Sequence, residues 1–289
     1  MRIPFSKTEG LGNDFLIMKG ELIPESIYSV LSQKICERHF GVGADGLVFF
    51  WPCAAGEATN FRMRIFNADG GEAEMSGNGL RCLAAHLFHG GLHHRDVLKI
   101  EAVSGLKILT LYNSQPPAYS FAVDMGPPVL EARRIPFHPP EVPAFLRGFP
   151  LEVAGEVFPV TITSMGNPHC SLFVDDFSRV DWKRLGPLIE HHPFFPNRTN
   201  VEFVRVINRQ EIEVRFWERG VGVTLASGTG SCGATVASSL NGFVDSPVKV
   251  HTPGGVLEIS WKRGETVMLM GPARVICSGN YFCDLSWAQ

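Results

Sequence analysis

Two tetrapeptides in this chain are near-copies of one another. Residues 76–79 read Ser-Gly-Asn-Gly and residues 227–230 read Ser-Gly-Thr-Gly, a shift of 151 positions. Each follows a strand-like apolar run and a turn. Each opens a stretch of small or apolar residues with helical character, Leu80–Phe88 in one case and Ser231–Ala237 in the other. Further pairs keep the same order. Gly12-Asn13-Asp14-Phe15 aligns with Gly166-Asn167-Pro168-His169 at a shift of 154, and Glu101–Gly105 aligns with His251–Gly255 at 150. One such pair is commonplace, but three in order at nearly one shift predict a duplicated domain, about half the chain each.

The glycines have a chemical consequence. At a helix start they leave backbone N–H groups uncovered, where the helix dipole adds partial positive charge. One such start binds an anion. Two of them facing each other would hold a single carboxylate and place a side chain on either side of the neighbouring carbon.

Composition excludes several classes. Of 289 residues, 45% are hydrophobic and 10% aromatic, enough for a folded core. A net charge of −3 with scattered basic residues argues against nucleic-acid binding. No apolar run reaches membrane-spanning length, and Lys7 and Glu9 so near the start argue against a signal peptide. Seven irregularly spaced cysteines read as reduced cytoplasmic thiols. The ten histidines form no ligand-spaced cluster, and the pairs His93-His94 and His191-His192 read as solvated loop residues, so no metal is expected.

Strand-like runs dominate both halves. They include Phe15–Met18, Gly46–Phe50, Phe61–Phe66 and Val97–Ile100, then Val160–Thr163, Ser171–Val174, Val201–Val206 and Glu211–Trp217. Helices are predicted over Pro24–Glu37, Trp182–His191 and the two runs after the glycine motifs. Residues 80–88 and 231–240 lack a polar face, so each helix should lie inside its half, with strands wrapped around it. Proline clusters at 116–117, 127–128 and 139–140 mark extended chain near the midpoint, and the link between halves is expected near 115–125. The predicted domains are 1–120 with 272–289, and 121–271, the tail crossing back to complete the first.

Several motifs together resemble the diaminopimelate epimerase family. They are Gly10–Phe15, Gly41–Leu47, Phe66–Gly70 with Ser76–Cys82, Gly166–His169, Arg198–Glu202, and Trp217–Gly220 with Ser227–Gly230. The resemblance implies an α+β fold of two pseudo-symmetric halves, each a barrel-like β-sheet around a central buried helix. It implies interconversion of amino-acid stereoisomers without pyridoxal phosphate or metal, with LL- and meso-diaminopimelate as the substrate pair in lysine and cell-wall precursor synthesis. The expected partner is that small amino acid, with a homodimer as the one assembly left open. In the family a cysteine stands at the start of each central helix. One acts as a thiolate base, and the other protonates the opposite face.

Here both positions are serine, Ser76 and Ser227. A hydroxyl ionises far less readily than a thiol and needs an adjacent base. Val223 is a second departure, standing where the family motif continues with glutamate. The remaining carry-over is intact. Gly77, Asn78, Gly228 and Thr229 match the donors to the α-carboxylate. Asn67, Asn167, Asn200 and Arg219 match the groups that grip the far end of the substrate, with Asn13 alongside. His169 and Glu218 match the polar residues beside the catalytic pair. Cys82 and Cys232 fall elsewhere in the motifs and should point into the core. Three readings stay open: an epimerase with serine for cysteine, engineered or natural; a binding protein that kept the pocket and lost turnover; and an isomerase of another substrate in the wider superfamily of proline racemases and phenazine-pathway isomerases.

Overall fold

The computed structural model describes residues 1–54, 57–73, 76–141 and 146–283. The chain divides into two units, Met1–Val123 with Gly271–Gln289, and Asp124–Met270.

In the first unit, the short β-rich runs bounded by Gly, Asn and Pro become strands. The order is β1 (Arg2–Gly10), β2 (Asn13–Lys19), α1 (Tyr28–Cys36), β3 (Gly46–Pro52), β4 (Phe61–Asn67), β5 (Glu72–Ala73), α2 (Gly77–His89), β6 (Val97–Ala102), β7 (Gly105–Gln115) and β8 (Ala118–Asp124). Pairing runs β1–β2–β3–β4–β6–β7–β8. The chain's last strand then pairs with both β8 and β1, closing a ring of eight. Helix α2 is buried along nearly its whole length and packs on β1, β2 and β3. Its sequence has no polar face to offer water, so the ring interior is where it can sit. Outside the ring, α1 buries Leu31 and Ile35 in a cluster with Tyr28, Phe49 and Phe66.

The second unit runs β9 (Phe149–Val153), β10 (Glu156–Ser164), β11 (Pro168–Phe173), α3 (Trp182–Glu190), β12 (Asn200–Asn208), β13 (Glu211–Glu218), β14 (Gly222–Thr224), α4 (Gly228–Leu240), β15 (Val248–Thr252) and β16 (Gly255–Ser260). The last strand, β17 (Met268–Phe282), begins here by pairing Met268–Met270 with β16. The ladder runs β10–β11–β12–β13–β15–β16–β17. Residues 125–129 close it, through Met125 and Gly126 to Val267 on one side and Val129 to Ser164 on the other. Helix α4 is buried from Ser231 to Ser238, and packs on β10 to β13.

One register serves both units. Phe15 opposes Gly46 across the parallel pair β2–β3, and His169 opposes Asn200 across β11–β12, each member shifted by 154. Ile65 opposes Ala73 on β4–β5, and Phe216 opposes Thr224 on β13–β14, each shifted by 151. The mixed α+β fold read from the resemblance is therefore present, as barrels around buried helices.

Two local readings differ from the structure. Pro116-Pro117 lies in the turn of the β7–β8 hairpin, because the flanking residues Gln115 and Ala118 pair directly. His93 is buried rather than solvated. Its Nε2 meets the Val97 carbonyl at 3.0 Å, and its ring edges onto Phe61 and Phe88.

Candidate active site

Each serine of the repeated motif caps a helix. The Ser76 hydroxyl accepts from the Gly79 N–H at 3.0 Å, and the Ser227 hydroxyl accepts from the Gly230 N–H at 3.2 Å. Each also supplies its carbonyl to the first helical bond, from Leu80 and from Ser231. The last glycine of each motif is closely packed. A Cβ on Gly79 would lie 3.1 Å from Ile65, and one on Gly230 would lie 3.0 Å from the Phe216 ring. Gly77, Asn78, Gly228 and Thr229 occupy the first two positions of their helices.

The two serines differ in their donor bond. Ser227 gives its hydroxyl proton to Glu218 Oε2 at 2.9 Å. Glu218 ends β13, half-buried. Burial raises its pKa above the ordinary glutamate value, and the Ser227 hydroxyl opposes part of that rise. Under the 151 shift, Glu218 falls on Asn67, which stands exposed at the end of β4 in a turn closed by Gly70 N–H to the Asn67 carbonyl. Only the second unit carries an acid at that register. Cys82 and Cys232 are both fully buried within their helices, and burial pushes the Cys82 thiol up to about 12. A thiol in that setting stays protonated and is no substitute for the missing thiolate.

In the first unit a chain of polar contacts fixes the start of α2. Buried Arg81 donates to Asn78 Oδ1 at 2.6 Å and to the Gly77 carbonyl at 3.2 Å. Asn78 Nδ2 donates to Asn13 Oδ1 at 3.1 Å, and Asn13 Nδ2 donates to Asp45 at 2.8 Å. Arg38 bridges Asp45 and Asp14, and Lys7 completes the cluster at 2.9 Å from Asp14. Asn13 and Asn78 are thus joined to each other.

In the second unit, His169 is fully buried on β11. Its Nδ1 lies 2.6 Å from Glu202 Oε1, and its Nε2 lies 3.0 Å from Asn167 Oδ1. Ser171 donates to the other Glu202 oxygen at 3.3 Å. Burial raises the Glu202 pKa, and the neighbouring His169 works against that rise. Gly233 of α4 makes the ring's place, since a Cβ there would lie 2.9 Å from His169 Cγ. Asn200 donates to the Pro168 carbonyl at 2.9 Å and accepts from Arg219 N–H at 3.1 Å, so it ties β11 to the turn after β13. The Arg219 side chain is exposed, its guanidinium 3.3 Å from the Asn197 carbonyl.

Glu202 closes the Arg198–Glu202 motif, and the resemblance assigns it no role. A signal was available: an acid in the middle of Asn200–Val204, a run otherwise apolar beyond its first residue, must find a partner once that strand is buried.

Comparisons with known proteins find relatives along nearly the whole chain. The family profile for diaminopimelate epimerase matches residues 5–131 and 161–276. The diaminopimelate epimerase of Pelotomaculum thermopropionicum is 46% identical over 280 residues, covering 96% of this chain and 98% of that protein. That of Halothermothrix orenii is 42% identical over 279 residues, covering 96% and 98%. Among solved structures, a hydroxyproline epimerase from Agrobacterium vitis superposes with a TM-score of 0.70 at 13% identity, covering 96% of this chain and 92% of that one. A Bacillus anthracis protein of the PhzF phenazine-biosynthesis family gives 0.70 at 15%, covering 98% and 100%. At such low identity these last two speak for the fold alone. Profile, full-length identity and the two capped helix starts converge: this chain belongs to the diaminopimelate epimerase family.

Proposed function

We propose that this chain binds a diamino dicarboxylic acid of the diaminopimelate type and is built to invert one α-carbon, with no cofactor. On this reading it serves lysine and cell-wall precursor synthesis in the cytoplasm. The matching ladder registers support descent of both units from one duplicated half. Gly77, Asn78, Gly228 and Thr229 offer amides to the α-carboxylate, and Arg219 with Asn67, Asn167 and Asn200 holds the distal head. Ser76 and Ser227 stand where the proton-transferring groups belong, with His169 and Glu218 in support.

One observation carries the chemistry. The Ser227 hydroxyl is set at a helix start between an N–H donor and a carboxylate acceptor, so it can pass its proton to Glu218 as it receives another. Serine remains a weak base toward carbon, which makes the parent protein slow. Replacing both residues (Ser76→Cys with Ser227→Cys) should raise α-proton exchange of diaminopimelate into deuterated water by about 10²–10⁴-fold, each single change giving far less. A double variant no faster than the parent would refute the epimerase reading.

The serines also favour a second reading, a protein that binds the amino acid without turning it over. Tight binding in calorimetry with no proton exchange, before and after cysteine is introduced, would select it.

A further inference from the structure

Glu190, the last residue of α3, is an acid where the helix dipole disfavours one. It is nevertheless buried, at 3% exposure. Its carboxylate is a shared acceptor. Oε2 receives Trp217 Nε1–H at 2.8 Å, and Oε1 receives Gly220 N–H at 2.8 Å, with Arg198 3.4 Å from Oε1 at the rim.

The segment it holds is the tight turn Glu218–Val221, closed by Val221 N–H to the Glu218 carbonyl. Gly220 sits at φ +76° in the third position, as a type II turn requires. The two central amides of that turn have no partner inside it. Arg219 N–H goes to Asn200, and Gly220 N–H goes to Glu190. Side chains from two other elements therefore set the direction in which the turn presents Arg219. In the first unit the 154 shift places Cys36 at this register, so the device belongs to the second unit alone.

We propose that Glu190 is a positioning residue for distal-head recognition: by clamping the Gly220 amide and the Trp217 indole it fixes the turn that aims Arg219 at the substrate's far carboxylate. This rests on the reading of Arg219 as the distal-carboxylate ligand. The chemistry recognised is a second carboxylate on the amino acid, so the effect must appear as discrimination rather than as affinity alone.

The experiment compares the affinity for diaminopimelate with that for lysine, which lacks the distal carboxylate, by calorimetry on the full chain. The parent should prefer diaminopimelate. Glu190→Gln should cut that preference by about tenfold while leaving lysine affinity in place, because an amide cannot accept from both Trp217 and Gly220. Adding Trp217→Phe to Glu190→Gln removes one donor, lets the amide oxygen face Gly220, and should restore the preference.

Preference kept in Glu190→Gln, or both affinities falling together, would overturn the proposal while leaving the functional reading intact. A parent without preference would overturn both. If the single variant does not fold, the double variant carries the test. Its loss of preference, or its own failure to fold, would make Glu190 a folding residue and overturn the proposal.

Discussion

At the residue scale, two exchanges separate the two units' solutions to the same geometry. Where the first unit places Phe15 on β2 and Cys82 on α2, the second has His169 and Gly233. The glycine is what allows the imidazole to sit against the helix and reach Glu202. Gly233→Ala should displace the ring, cost about 1–3 kcal/mol of stability and shift the His169 ring resonances in NMR. An unchanged spectrum would show that α4 yields instead. Arg219 predicts the opposite separation of effects. Its exposed side chain has little packing to lose, so Arg219→Ala should leave Tm alone but weaken diaminopimelate binding by about 1.5–3 kcal/mol. Calorimetry showing parental affinity would remove Arg219 from the site.

At the element scale, strands and buried helices were legible because their signals are local. Apolar and basic residues alternate in Phe61–Ile65, and a serine precedes each polar-free helix. Pairings between distant segments were not legible. His169 and Glu202 lie 33 residues apart on neighbouring parallel strands, and their meeting depends on a register that composition does not reveal. His93 is a second case of this kind. Its sequence neighbours are mostly polar, while the rings packed against it come from β4 and α2. Glu218 carries over from the resemblance, but its bond to Ser227, nine residues further on, depends on where β13 ends.

The charged cluster at the mouth of β1, β2 and β3 makes a prediction at the scale of the whole molecule. Burial tends to raise the Asp14 pKa, but the bonds and charges of Arg38 and Lys7 outweigh it and hold the carboxyl below its ordinary 3.8. A depressed carboxyl contributes stability that is present above pH 4 and is lost as the pH falls through the folded-state value. Arg38 is half exposed, so solvent screens part of the gain. Asp14→Asn should therefore lower stability by about 1–2 kcal/mol at pH 7, and the gap should close as the pH falls well below 4. Parallel melting curves across that range would show that the pair contributes nothing.

The closure of the first ring sets an order of events during synthesis. The second unit is one uninterrupted stretch, Asp124–Met270, and holds every strand of its own ladder as soon as that stretch exists. The first unit is begun at residue 1, yet its ring stays open until the chain has been made past Gly271, because β17 supplies the strand between β8 and β1. Until then the nascent protein carries two unpaired edges, the kind that invite strands from other chains. The half that is made first is thus the half that is finished last, and a ribosome that stops short of the final strand releases a sheet with both seams exposed.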